Sequence, residues 1–202
     1  SASFASIKVD DKVRLNKIAI LYGANASGKS YMLYALQAIF ALLRFPEINR
    51  ERKIAHYRPF ALAAGEATNM GLSFYINSVR YDYEISYNES YILKEVLHFY
   101  PKGYKALLYS RKFVSETSAA DIVFGTNAEI KKKAEGIFIS NTLNNHTVLS
   151  TYAKVAFDEE VKVMSDLFNW ITASTYGINE YHEPGETFAD MMRKVGEDPK
   201  MK

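Results

Sequence analysis

Eight consecutive residues, Gly23, Ala24, Asn25, Ala26, Ser27, Gly28, Lys29 and Ser30, fit the pattern G-x-x-x-x-G-K-[ST], which carries a defined chemistry. Its two glycines let the backbone close around phosphate oxygens, so that successive N–H groups and the start of a following helix face the anion. In such a loop the Lys29 ammonium reaches the β- and γ-phosphates, and the Ser30 hydroxyl takes a place on Mg²⁺. These eight residues are the expected nucleotide site, with Lys29 as its catalytic residue, Ser30 as its metal ligand, and ATP with Mg²⁺ as its cofactors. A glycine turn capped by Ser30 would account for neither the Lys-Ser pair nor the elements on either side.

Those elements have the required order. The apolar run of residues 17–22 reads as a buried strand entering the loop, and residues 31–43 read as a helix leaving it. Residues 4–9 and 13–15 have extended character and are expected to be edge strands leading into that central strand. The helix is apolar nearly all round, as for an element covered on both sides, and Pro46 ends it.

From Gly71 the spacing changes to period two. Leu72, Phe74 and Ile76, then Val79, Tyr81, Tyr83, Ile85 and Tyr87, alternate with more polar residues. With turns at Asn77-Ser78, Asn88-Glu89-Ser90 and Pro101-Lys102-Gly103, this predicts an antiparallel meander of four strands ending near Arg111. The stripe of Tyr81, Tyr83 and Tyr87 could stack bases, but period two beside charged neighbours favours one face of a packed sheet. Beyond it, residues 128–134, with Lys131, Lys132 and Lys133, predict a short charged helix or surface turn, residues 148–173 a longer helical region, and residues 187–195 a short helix between breakers.

Together these predict an α/β fold: a P-loop NTPase lobe with an antiparallel β-meander arm and C-terminal helices. Residues 1–60 would be the strand-loop-helix core, 61–125 the β arm and 126–202 a mainly helical segment, forming one compact incomplete lobe. Of 202 residues, 48% are hydrophobic, ample for a core, and the net charge of +2 gives no general attraction to nucleic acid or membrane. Cysteine is absent, which excludes disulfides and thiolate metal sites and fits a cytoplasmic location. His56, His98, His146 and His182 lack zinc-ligand spacing and are expected at the surface. No apolar run is long enough to span a bilayer. The chain starts at Ser1 with no basic-then-apolar leader and reads as a trimmed piece.

Hydrolysis of the bound nucleotide also needs an acid at the end of a second core strand to hold Mg²⁺, and a group that orients water. The nearest imitation, residues 155–159 ending in Asp158 and Glu159, continues into a helical pattern, so these carboxylates are expected on a solvated helix face. The guanine-selecting Asn-Lys-x-Asp motif is absent, which favours ATP over GTP.

The loop with its preceding Ile18-Ala19-Ile20-Leu21-Tyr22 resembles the Walker A segment of bacterial AAA-family ATPases with an ABC-type head, a group related to the SMC and OLD-nuclease ATPases. Tyr57-Arg58-Pro59-Phe60, residues 72–76, 79–85 and 107–111 resemble the antiparallel arm of the same family. The resemblance implies an N-terminal lobe that binds ATP, with Asn25 and Ser27 near the phosphates. It further implies head-to-head homodimers, a signature segment, Walker B acid and switch histidine supplied by a later half and a second protomer, and often a nuclease or toxin effector in phage defence. On this reading the 202 residues alone hydrolyse ATP hardly at all. A small P-loop phosphotransferase and a non-catalytic nucleotide switch are the alternatives; the former needs lid arginines, and no lid pattern is visible.

Overall fold

The computed structural model describes residues 6–9, 11, 13–24, 27–59, 61–63 and 65–174. Strands β1 (Ser6–Lys8) and β2 (Arg14–Asn16) form a two-stranded antiparallel hairpin in which Ile7 faces Leu15. The pairing stops at Asn16, and residues 17–24 run on without regular structure. The expected buried strand over 17–22 is therefore not formed: Ile18 is 77% exposed, Ile20 68% and Tyr22 86%. A strand requires a neighbour for its backbone, and parallel neighbours come from remote sequence. Among the described residues none lies alongside this segment.

The period-two region forms one antiparallel sheet with strands in sequential order: β3 (Thr68–Ile76), β4 (Val79–Tyr87), β5 (Ile92–Phe99), β6 (Ala106–Lys112) and β7 (Asp121–Phe124). The meander thus has five strands rather than the expected four. β7 pairs Val123 with Ser110, but its four residues are too few to display an alternation. Asn77 and Ser78 both take positive φ, 48° and 64°, as a two-residue hairpin turn between right-twisting strands demands. At Gly125 the chain passes so close to β6 that a side chain there would overlap the Leu107 carbonyl.

Alternate residues on one face of this sheet are buried, including Phe74, Tyr81, Tyr83, Ile85, Tyr87 and Leu97. The tyrosine stripe is core, not a stacking platform. On the other face Arg80, Glu84 and Lys94 meet solvent. Helix α1 (Lys29–Arg44), α2 (Lys132–Asn141), α3 (Val148–Lys154) and α4 (Lys162–Ser174) supply the apolar surface that covers the buried face. α4 places Met164, Leu167 and Ile171, each fully buried, one helical turn apart. Its Trp170 stacks on Phe74 of β3 with ring centroids 4.4 Å apart.

Three helical expectations change. α1 begins at Lys29, two residues early, and only its second half (Ala38, Ile39, Phe40, Leu42, Leu43) is buried, so it is not covered on both sides. The region 148–173 is two helices separated by a bend at 155–161. The lysine-rich stretch lies at the start of α2, which continues to Asn141 after a 3₁₀ turn at Thr126–Ala128. The pattern at 187–195 falls outside the described residues. None of the described helices is long and apolar enough to cross a membrane.

A buried polar cluster ties these layers together. Glu95 on β5 is fully buried and accepts hydrogen bonds from Tyr83 (3.2 Å), Tyr109 (2.8 Å) and the Val148 N–H at the start of α3 (2.9 Å). The Arg111 guanidinium lies 3.9 Å from Glu95 and donates to the carbonyls of His146 (2.6 Å) and Leu143 (3.0 Å). Burial raises the Glu95 pKa and lowers that of Arg111, while each charge opposes the effect on the other.

Candidate functional site

The chain turns from the extended segment into α1 at Gly28, whose φ of 88° and ψ of 5° lie in the left-handed region that favours glycine. Ser27 N–H donates to the Ala24 carbonyl at 3.3 Å, and Met32 N–H to the Gly28 carbonyl at 3.3 Å, the first turn of the helix. The N–H groups of Lys29, Ser30 and Tyr31 precede that bond and have no acceptor within the helix. No side chain caps α1 and its first turn holds no acid, so the positive end of the helix dipole is not offset there by a carboxylate of its own. Asn25 and Ala26 lie outside the described residues.

Lys29 folds back over the loop. Its Nζ donates to the carbonyls of Gly23 (2.8 Å) and Ala24 (2.6 Å) and lies 3.4 Å from Ser27 Oγ. All three acceptors are neutral, and among the described residues no carboxylate forms an ion pair with this ammonium. Gly23 packs closely in this closure: a side chain there would come within 2.7 Å of Ser27 Oγ, which would have to turn away. Ser30, the next residue of the helix, is exposed.

This donor set fits a polyphosphate. A left-handed glycine, first-turn N–H groups without an acceptor in the helix and an ammonium held, among the described residues, by neutral oxygens lie together at the exposed start of α1. For Mg²⁺ the exposed Ser30 hydroxyl is the ligand that the motif supplies. Among the described residues no three His, Asp or Glu side chains cluster as a metal would require.

Asp158 and Glu159 sit neither on a strand nor on a helix face, as the helical pattern had suggested, but in the bend between α3 and α4. They pair with Lys133 and Lys131 beside a groove of about 430 Å³ that no residue of the loop lines. His146 is not a surface histidine either. It is 1% exposed, lies 3.1 Å from the Thr151 hydroxyl, and burial, with Lys154 and Arg111 nearby, lowers its pKa to about 3. His56 and His98 are partly buried, and His182 falls outside the described residues. His146 follows Asn144-Asn145 in a polar stretch that gives no sign of its burial.

What the sequence reading missed is an apolar surface around the loop. Ile18, Ile20, Leu21 and Tyr22 before it, and Tyr31 (73% exposed), Met32 (62%) and Leu33 (57%) after it, are all open to solvent. Single exposed apolar residues are ordinary, but seven flanking one loop are a surface shaped for covering.

A family model described as "AAA domain, putative AbiEii toxin, Type IV TA system" matches residues 18–154. Comparison with curated proteins and with solved structures finds no match.

Proposed function

The chain belongs to this AAA-domain family, and on that premise we propose that it is the nucleotide-binding lobe of an ABC-type ATPase head. Residues Gly23, Ala24, Asn25, Ala26, Ser27, Gly28, Lys29 and Ser30 bind ATP, Lys29 exchanging its loop oxygens for β- and γ-phosphate oxygens and Ser30 ligating Mg²⁺. The observation that carries the reading is the set of three neutral acceptors on Lys29 at the N-terminus of α1, an ammonium with no counter-charge among the described residues where an anion fits.

Hydrolysis, in this reading, draws its metal-holding acid and water-orienting group from beyond these residues, through further core strands and a second protomer. The exposed apolar residues 18–22 and 31–33 support this, since they are the surface such strands would cover. ATP then favours the closed homodimer because it binds that state better than the open one. A nuclease or toxin effector, a role in phage defence and a cytoplasmic location belong to the same proposal.

Thermal unfolding with and without Mg-ATP tests the site. Ligand that binds only the folded chain raises Tm by linkage. The wild type is expected to shift, and Gly28→Ala, strained at φ 88°, to shift less. A wild-type Tm indifferent to saturating Mg-ATP contradicts the proposal.

A further inference from the structure

Strand β3 is paired with β4 on one side and, among the described residues, with no strand on the other. Its sequence, TNMGLSFYI, contains no charge and no proline over nine residues. Folded proteins rarely leave such an edge open, because its unpaired N–H and C=O groups are a template for another strand. The remaining edges of this molecule are blunted in the usual ways. β7 has four residues and begins with Asp121, and β1 and β2 have three each and carry Lys8 and Arg14.

We propose that β3 is an interface between two copies of this chain, paired antiparallel about a two-fold axis at Leu72 to give one continuous ten-stranded sheet. The sequence of β3 is self-complementary in that register. On the helix-covered face Leu72 meets Leu72 of the second copy, Met70 meets Phe74, and Thr68 meets Ile76. On the open face Gly71 meets Ser73 and Asn69 meets Tyr75. At the centre Leu72, Met70 and Phe74 thus meet apolar side chains and Gly71 meets Ser73, and no like charges are opposed anywhere along the strand. Gly71 and Ser73 are exposed, and they leave the open face flat where the two backbones approach most closely. Met70 and Leu72, half-buried at the margin of the core, complete their burial against their counterparts. A partner strand bearing charge would gain less, since β3 offers nothing to pair it.

This interface is independent of the nucleotide loop, so the test uses no ATP and is repeated in Lys29→Ala. Since the sequence has no cysteine, Leu72→Cys introduces a lone thiol, and directly opposed antiparallel residues stand at a separation a disulfide can bridge. Sedimentation of the wild type is expected to show a dimer at micromolar concentration. Under mild oxidation Leu72→Cys is expected to cross-link at least about tenfold faster than Val123→Cys on the opposite edge, because pairing raises the effective thiol concentration. Ser73→Lys, a change at an exposed position checked for unchanged circular dichroism, is expected to yield monomers. A wild type that sediments as a monomer, equal cross-linking at residues 72 and 123, or a folded Ser73→Lys that stays dimeric would each overturn the proposal.

Discussion

The Thr147 hydroxyl donates a hydrogen bond to the Leu42 carbonyl at 2.8 Å, joining residues 105 positions apart. Thr147 is also the N-cap of α3, accepting from the Ser150 N–H at 3.2 Å. The last turn of the loop-bearing helix is thereby fixed to the first turn of the helix that Glu95 anchors to the sheet. The candidate site is held by α1, and α1 is held at its far end by buried polar contacts as well as by apolar packing.

Replacing Thr147 with Val keeps the shape and removes both bonds, one a cap and one to a buried carbonyl. It is expected to lower stability by about 2–3 kcal/mol. Urea unfolding should show a lower midpoint with an unchanged m value. An unchanged midpoint would mean that the bond to Leu42 contributes nothing.

Arg111→Met is expected to cost more, about 3–5 kcal/mol, because it leaves the fully buried Glu95 carboxylate without its counter-charge. Substituting Glu95 as well, to Gln, should recover part of the loss, since Gln still accepts from Tyr83 and Tyr109. A double variant less stable than Arg111→Met, measured by the same unfolding, would argue that the pair does not act as a unit.

His146 gives the fold a pH dependence. Its pKa falls from an ordinary 6.5 to about 3 in the folded chain, so between those values the unfolded state binds a proton that the folded state refuses. Its contribution is full above pH 6.5 and is lost as pH falls toward 3, with a slope of about 1.4 kcal/mol per pH unit. The raised pKa of Glu95 acts in the opposite direction and is present with or without the histidine. His146→Gln is expected to flatten the acid limb of the stability curve by one proton. Equal slopes in wild type and variant would show His146 protonated in the fold.

The purified chain is expected to release no appreciable phosphate from Mg-ATP. Among the described residues no acid pairs with Lys29 or clusters for a metal, and the loss of such electrostatic and positioning groups typically costs several orders of magnitude in phosphoryl transfer. Glu159→Gln should change nothing, because Glu159 lies in an exposed bend paired with Lys131. Robust turnover abolished by that substitution would relocate the chemistry to the bend.

The elements legible in the sequence were those whose signal is local. Gly28 marks a loop-to-helix turn because its left-handed backbone favours glycine, β3 and β4 announce themselves by alternation, and turn residues on either side delimit β5 and β6. β7 is too short for that. The break at 155–161 is hidden because Val155, Phe157 and Val161 carry apolar residues through it and no glycine or proline marks it. Ile18 to Tyr22 carry the composition of a central strand, yet burial is a property of neighbours, and no strand among the described residues pairs with this segment. His146 is the converse, a polar residue buried by contacts from α3.

The most direct measurement is calorimetric titration of Mg-ATP into the wild type and Lys29→Ala. Lys29 contacts only loop oxygens and supports no part of the core, so the variant should keep its circular dichroism. The account predicts measurable binding to the wild type and its loss in the variant, since a charge-assisted contact to phosphate has gone. Equal affinity in two equally folded proteins would contradict the assignment of residues 23–30 as the nucleotide site.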